Sequence, residues 1–309
     1  MRALVATHND DTPVELREVD EPAAASHEAV VAVRAFSLNR GELALLVDRP
    51  PGWRPGQDIA GVVARQADDG SGPPVGTRVA ALVDGAGWSQ RVVAPMDRLA
   101  TLPDAVTLTQ ATALPVAGLT ALRALRVGGA LLGRRVLITG ASGGVGGFAV
   151  ELAAGAGAHV TGVVSNAERA VGVRERGAAD IVSSVAELEG KEPFHLVLES
   201  VGGASLTGAL RHTAPDGTVV VFGATSGDPT TLGFYDFAGR PRARIYGFFV
   251  YDSGDRETFG EDLGLLAGLV AAGKLQPQIG LEEDWGALAR GAAALRERRV
   301  AGKAVFHVS

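Results

Sequence analysis

A glycine-rich turn between an apolar strand and an apolar helix restricts most strongly how this chain can fold. The run RRVLITG (134–140) has the pattern of a buried strand, small residues follow it, and the helix continues from there as FAVELA. Backbone N–H groups in such a turn, together with the helix dipole, can hold a diphosphate that larger side chains would block. A second strand at 158–165 completes the context of a dinucleotide fingerprint. The alternative is a tight strand-to-helix turn that binds nothing.

The segments on either side of this turn differ in pattern. The first hundred residues hold short apolar runs between Gly and Pro clusters, which predicts a compact, barrel-like β unit; the runs are 2–6, 29–36, 59–65, 78–83 and 90–94. Further on, strands alternate with helices and predict a doubly wound parallel sheet; these strands are 134–140, 158–165, 194–203, 217–224 and 242–251. We expect the short tail, with apolar helices at 263–273 and 284–299 and a last strand from Lys303, to pack on the N-terminal unit.

Composition excludes several classes of function. With 29 basic and 35 acidic residues the net charge is −6, which argues against nucleic acid as a partner. The chain has no cysteine, so disulfides, thiolate nucleophiles and Cys-ligated metals are excluded, and its six histidines lack ligand spacing. We find neither a signal peptide nor an apolar stretch long enough to span a membrane. These features predict a soluble, cytoplasmic protein of about two domains that binds no metal.

The residues after the second strand bear on which dinucleotide would fit. NAD sites carry an acid about 20 residues beyond the turn, where it binds the ribose hydroxyls. This chain has Ser165 at that distance, followed by Asn166 and Arg169, and no acid at the tip of the strand. A hydroxyl and a guanidinium suit a 2′-phosphate. The sequence therefore favours NADP(H), although Arg169 could also be a solvated residue of a first helical turn.

Two common catalytic patterns are missing. None of the three tyrosines is followed four residues later by a lysine, which excludes a Tyr-x-x-x-Lys proton-transfer pair. No G-x-S-x-G nucleophile elbow occurs either, so the glycine-rich turn does not indicate an α/β hydrolase.

Nine segments spread over nearly the whole chain are informative when they are taken together; they are VRAFSLNRGEL (33–43), PGQDIAGVV (55–63), VGTRVAAL (75–82), GWSQRVVAP (87–95), LPVAGLTALRAL (114–125), VLITGASGGVG (136–146), VLESVGG (197–203), VVVFGATSG (219–227) and RVAGKAVF (299–306). In these segments and their order, the chain resembles the zinc-free quinone oxidoreductase (zeta-crystallin-like) branch of the medium-chain dehydrogenase/reductase superfamily. Asn39 stands where the zinc enzymes have a catalytic cysteine, and Gly56-Gln57-Asp58 replaces their Gly-His-Glu. The resemblance implies a Rossmann NADP(H)-binding domain at 114–252, inserted into a GroES-like catalytic domain formed by 1–113 and 253–309.

The resemblance also implies roles for individual residues. Asn39 would lie near the nicotinamide and the substrate carbonyl, and its amide is our candidate donor to the developing oxyanion. The implied cofactor-binding residues are Thr120, Ser142, Gly143, Gly144, Val145, Ser165, Arg169, Phe222, Ala224, Thr225, Phe248, Phe249 and Arg298. Ser184 occupies the position of the family's usual tyrosine in the 2′-phosphate site, which weakens that contact. The phenylalanines could equally be core residues, and Arg298 a charge at a helix C-terminus.

These features predict an NADPH-dependent reductase of quinones or α,β-unsaturated carbonyls, with a small apolar substrate. The alternatives are an enoyl-thioester reductase of polyketide or fatty-acid type and a non-catalytic NADPH-binding protein. No side chain stands out as the proton source, because Glu42 could be an acid but is more simply a solvated loop carboxylate. Trp53 and Trp88 could line a flat pocket or merely pack. The run RARIYGFFVY (242–251), as the last strand of its sheet, could pair edge to edge in a homodimer.

Overall fold

The computed structural model describes residues 1–7, 9, 12–165, 167–253 and 257–309. The chain forms two compact units, Met1–Leu119 with Arg256–Ser309, and Thr120–Asp255. The strands are β1 (Arg2–Ala6), β2 (Val14–Glu18), β3 (Glu28–Leu38), β4 (Asp58–Arg65), β5 (Arg78–Leu82), β6 (Arg91–Pro95), β7 (Leu99–Thr101), β8 (Arg135–Thr139), β9 (His159–Val163), β10 (Asp180–Val182), β11 (Phe194–Glu199), β12 (Thr213–Val221), β13 (Arg244–Gly247), β14 (Ile279–Asp284) and β15 (Lys303–His307). The α-helices are α1 (Arg40–Asp48), α2 (Leu108–Thr112), α3 (Pro115–Arg126), α4 (Gly144–Gly155), α5 (Ala170–Glu175), α6 (Gly203–Arg211), α7 (Phe259–Ala271) and α8 (Leu288–Arg296).

The first unit is built around β3. This strand pairs antiparallel with β4, β6 and β15 in a seven-stranded sheet, and β1 and β2 form a separate antiparallel pair. Inside, the ring of Phe36 stacks on Trp88 with centroids 5.4 Å apart and on Phe306 with centroids 5.6 Å apart. All three side chains are fully buried, so segments distant in sequence share one core. Trp88 is therefore a packing residue rather than the wall of an open pocket.

The second unit contains a parallel sheet, as the sequence predicts, but with six strands rather than the predicted five, because β10 (Asp180–Val182) was not predicted. Its order is β10-β9-β8-β11-β12-β13, with helices in the connections, and this is the doubly wound Rossmann order. The central strands β8 and β11 are fully buried along most of their length, as their continuous apolar runs predict. The order of connection reverses between β8 and β11, so ligands of this fold bind near the carboxyl ends of these two strands.

Pro115 divides the apolar run 108–126 into two helices. Thr107 caps α2 by accepting a hydrogen bond from the N–H of Gln110, and α3 then begins at Pro115. Proline suits a first helical position because its missing N–H would have no partner inside the helix. Among the described residues, none of the helices combines the length and the apolar character needed to cross a bilayer.

Candidate functional site

The glycine-rich turn forms the cradle that its sequence predicts. Strand β8 ends at Thr139, Gly140 takes a φ of +60°, and α4 begins after Gly143. A Cβ atom on Gly146 would lie 2.3 Å from the carbonyl oxygen of Gly140, so no larger residue fits there. The residues that would hold a diphosphate are half-buried at the start of this twelve-residue helix; they are Ser142, Gly143, Gly144 and Val145. The turn therefore fits a dinucleotide diphosphate.

Glu199 organises the carboxyl ends of the neighbouring strands, a role that the sequence analysis missed. Its buried carboxylate accepts hydrogen bonds from Thr139 Oγ1 (3.1 Å), the N–H groups of Val201 (3.1 Å) and Gly202 (2.9 Å), and Ser205 Oγ (2.9 Å). It thus links the end of β8 to the loop that precedes α6. An acid at the end of an otherwise apolar strand was the signal for this role.

The loop after β12 is held to the same end of the sheet by backbone hydrogen bonds. The N–H of Phe222 donates to the carbonyl of Glu199, and the N–H of Thr225 donates to that of Ser200, both at 3.0 Å. Phe222 is half-buried, whereas Ala224 and Thr225 are exposed. The structure therefore brings these three predicted ribose-binding residues to the edge where β8 and β11 end.

The predicted 2′-phosphate residues lie beyond the end of β9. Ser165 is exposed, and Arg169 is half-buried at the end of a 3₁₀ turn (Ala167–Arg169) before α5. Because Val163 and Val182 are paired in register, Ser165 and Ser184 each lie two residues beyond the ends of adjacent parallel strands. Asn166 lies outside the described residues.

The other implied cofactor residues have diverse surroundings. Thr120 is nearly buried in α3. Beyond β13, Phe248 is nearly buried and its N–H donates to the carbonyl of Val221 at 2.8 Å, whereas Phe249 is 62% exposed. Arg298 belongs to the first unit, where it follows α8 with a left-handed φ of +58°. It therefore occupies the position that ends this helix.

A buried polar cluster lies in the first unit at one end of β3. Asn39 follows β3 directly, β4 begins at Asp58, and β15 begins at Lys303. Since Ser37 is paired with Asp58 and Leu38 with Ala304, the strand register places Lys303 and Asp58 on either side of Asn39. The strand pairing, rather than a local motif, thus brings Asn39, Asp58 and Lys303 together.

The side-chain amide of Asn39 is held in one orientation. Its Oδ1 accepts a hydrogen bond from Lys303 Nζ, and its Nδ2 donates to Asp58 Oδ2 at 2.8 Å. An ammonium can only donate and a carboxylate here accepts, so the amide cannot be reversed. The second Nδ2 hydrogen faces Glu42 Oε2 over a long 3.3 Å. This weakly held hydrogen is the one available to a substrate oxygen that approaches Asn39.

Asp58 joins the members of the cluster. Its Oδ2 lies 3.0 Å from Lys303 Nζ and also accepts from Ser37 Oγ, while its Oδ1 accepts the N–H of Val116 at 2.8 Å. Asp58 is fully buried and Lys303 nearly so. A carboxylate and an ammonium buried in this way depend on each other for compensation of their charges.

Glu42 is fully buried, so its interpretation as a solvated loop carboxylate was wrong. It is the third residue of α1, and its Oε2 accepts the backbone N–H of Asn39 at 2.9 Å while its Oε1 accepts that of Gln57 at 3.0 Å. Desolvation by burial, and next the negative charge of Asp58, raise the pKa of Glu42 to about 8, against smaller lowering effects from Asn39 and Lys303. Burial therefore favours the neutral, protonated form of Glu42.

Lys303 was also missed as a site residue, although the composition contained a signal for it. The chain has 26 arginines and only three lysines, so a lysine after Gly302 is an exception in this sequence. An ammonium is a compact charge that fits between an amide oxygen and a carboxylate, which a planar guanidinium does not do equally well.

No group of His, Cys, Asp and Glu side chains within the described ranges could hold a metal ion.

Comparison with known proteins shows similarity to dehydrogenases and oxidoreductases. Residues 144–268 match the model of the zinc-binding dehydrogenase family. The mitochondrial NAD(P)H oxidoreductase RTN4IP1 of Bos taurus is 37% identical over 171 residues, which is 50% of this chain and 42% of that protein. The chain thus matches less than half the length of this relative.

Two further likenesses extend over more of the chain. Erythronolide synthase EryA2 of Saccharopolyspora erythraea is 33% identical over 269 residues, covering 84% of this chain and 7% of that much longer protein. The crystal structure of a quinone oxidoreductase from Pseudomonas syringae pv. Tomato DC3000 superposes with a TM-score of 0.88 at 25% identity, covering 99% of both chains.

Proposed function

From its place among the quinone oxidoreductase-like proteins of the medium-chain dehydrogenase/reductase superfamily, we infer that this chain is an NADPH-dependent reductase of quinones or α,β-unsaturated carbonyls. The observation that carries this proposal is the clamped amide of Asn39. Lys303 and Asp58 fix the amide, and the hydrogen directed at Glu42 is the only one of its two that is weakly held. A fixed donor with one available hydrogen is what stabilisation of a developing oxyanion requires.

NADPH, when bound, supplies a hydride to the electrophilic carbon of the substrate. The glycine-rich turn would hold its diphosphate, and Ser165 and Arg169 would receive its 2′-phosphate. The nicotinamide and its ribose would be bordered by Phe222, Ala224, Thr225, Phe248 and Phe249. The family resemblance assigns Thr120 and Arg298 to cofactor binding as well. Asn39 donates from Nδ2 to the substrate oxygen, on which negative charge accumulates as the hydride adds.

A second candidate is the reduction of an enoyl thioester. It is favoured by the likeness of 84% of this chain to erythronolide synthase EryA2, and of 63% of it to the spectinabilin polyketide synthase system protein NorB of Streptomyces orinoci. The oxygen that gains charge would then be the thioester carbonyl, and Asn39 would have the same role. Only the acceptor differs between the two candidates.

The test is the loss of NADPH absorbance with three acceptors: a para-quinone, a simple enone and a crotonyl thioester. Turnover of the quinone or the enone supports the first candidate, and preferential turnover of the thioester supports the second. NADPH binding measured by calorimetry without turnover of any acceptor would contradict both and indicate a nucleotide-binding protein without reductase activity.

We also propose that the second unit pairs with another copy of itself through β13. This strand is the last of its sheet and is hydrogen-bonded only to β12 in the part of the chain that the structure describes. Its Tyr246 is exposed, as is Phe249 beyond it. An unpaired edge with exposed aromatic residues favours edge-to-edge association. Light scattering at micromolar concentration should give twice the mass of the chain, and a monomer would contradict the pairing.

A further inference from the structure

Glu42 contacts two half-exposed residues, Asn39 and Gln57. It accepts the backbone N–H groups of Asn39 and Gln57 and faces the weakly held Nδ2 hydrogen of Asn39. Yet Glu42 has no exposed surface of its own, so it does not contact substrate in this structure. Any effect of Glu42 on the reaction must therefore act through a neighbour, and Asn39 is the one whose side chain Glu42 faces.

The charge of the cluster depends on the proton of Glu42. Lys303 carries one positive charge and Asp58 one negative charge, so these two compensate each other. An ionised Glu42 would add an uncompensated negative charge 3.3 Å from the amide nitrogen that is proposed to meet the substrate oxygen. It would also hold the second Nδ2 hydrogen more firmly, because hydrogen bonds to ionised acceptors are stronger.

We propose that Glu42 is a positioning residue for the reduction: in its neutral form it leaves the Asn39 amide available to the substrate oxygen, and its ionisation slows hydride transfer. This inference rests on the proposed function. Negative charge develops on the substrate oxygen in the transition state, so a neighbouring carboxylate opposes it and a carboxylic acid does not.

The charged groups around Glu42 determine which other titrations could contribute to the pH dependence of the reaction. Asp58 on β4 and Lys303 on β15 are the two that act on it electrostatically. On α8, which packs against α1, Arg290 is paired with Glu283 and Arg296 is exposed. On α1 itself, Arg40 and Asp48 are exposed. Burial and Asp58 raise the pKa of Glu42 to about 8, so the transition falls within an accessible range of pH.

The experiment is the pH profile of kcat with saturating NADPH and acceptor. In the wild type, kcat should fall above pH 8 and reach about one tenth of its neutral value near pH 9. In Glu42→Gln, which cannot ionise, this alkaline fall should disappear even if kcat is lower at every pH. The control is Glu261→Gln, since Glu261 occupies the same third position of a helix in α7 but is exposed. This variant should retain the wild-type profile.

A second measurement detects the proton of the Glu42 carboxyl directly, and it does not depend on the activity of the Glu42→Gln variant. Infrared difference spectroscopy of the wild type should show the C=O band of a protonated carboxyl at pH 7. This band should disappear as the pH rises, with a midpoint close to the pH at which kcat falls to half. The absence of that band at pH 7, or the same alkaline fall in Glu42→Gln as in the wild type, would overturn the role of Glu42. Absence of turnover with every acceptor in the wild type would overturn the proposed function and this role together.

Discussion

Lys303 Nζ and Asp58 Oδ2 lie 3.0 Å apart, although 245 residues separate them in the chain. They meet because β15 and β4 both pair with β3, one on each side, and each strand begins at the end of β3 where Asn39 follows. The orientation of the Asn39 amide therefore depends on the tertiary pairing of three strands.

Replacement of Lys303 by methionine should destabilise the protein. The change leaves Asp58 buried without a counter-charge, and loss of one partner of a buried pair costs about 3–5 kcal/mol. Chemical denaturation measures this free energy of unfolding. Lys274→Met is the control, because Lys274 is exposed and such changes cost less than about 0.5 kcal/mol. Equal stability of the two variants would contradict the compensation of Asp58 by Lys303.

Replacement of Asn39 by alanine should reduce kcat by about 10²–10³, the usual effect of removing one oxyanion donor. NADPH affinity, measured by calorimetry, should change little, because the diphosphate cradle belongs to the second unit. An unchanged kcat would contradict the role of Asn39 as donor.

Replacement of Gly146 by alanine should abolish nucleotide binding. The new methyl group would meet the carbonyl oxygen of Gly140 at 2.3 Å and force the turn apart. Gly155→Ala at the other end of α4 is a matched control, because its methyl group meets no atom within 4 Å. We expect Gly155→Ala to bind NADPH normally. An equal loss of NADPH affinity in both variants would contradict the role of the turn in binding the diphosphate.

Replacement of Arg169 by alanine should weaken binding of NADPH far more than binding of NADH. Only NADPH carries the 2′-phosphate that a guanidinium binds through charge-assisted hydrogen bonds. Calorimetry with both nucleotides gives the ratio, and Arg174→Ala provides the control from the neighbouring helix α5, where Arg174 is exposed. Equal weakening of both nucleotides would refute the role of Arg169.

The raised pKa of Glu42 should make stability depend on pH. Between the ordinary value of 4.5 and about 8, the folded protein retains a proton that the unfolded chain releases, so the free energy of unfolding falls as pH rises. The contribution of this group is about 1.4 kcal/mol per pH unit within that window. Denaturation of the wild type and of Glu42→Gln across the window should give different slopes, the variant's being less negative. Parallel slopes would show that Glu42 is not buried as a neutral acid.

The second unit was predictable from sequence because its signals are local. A buried parallel strand has a continuous apolar run, as at 134–140, and the glycines beyond Gly140 are required by the turn itself. In the first unit, the break between α2 and α3 at Pro115 follows equally directly from the missing N–H of proline.

The missed features depend on pairing between distant segments. Glu42 has polar neighbours in sequence and resembles a surface residue, but in the structure it is buried and accepts the N–H of Gln57, the residue directly before β4. The segment Ile279–Asp284 was not predicted as a strand, and a helix was expected from about residue 284; in the structure the segment forms β14, and α8 begins only at Leu288. Its partner β15 determines that outcome.

The dependence of Asn39 on β15 has a consequence for synthesis on the ribosome. The doubly wound sheet can close once β13 has emerged, more than fifty residues before Lys303 is translated. Until then Asp58 is without its ammonium and the Asn39 amide lacks the donor that fixes it. A nascent chain should therefore acquire the ability to capture a nucleotide before it acquires the ability to reduce anything.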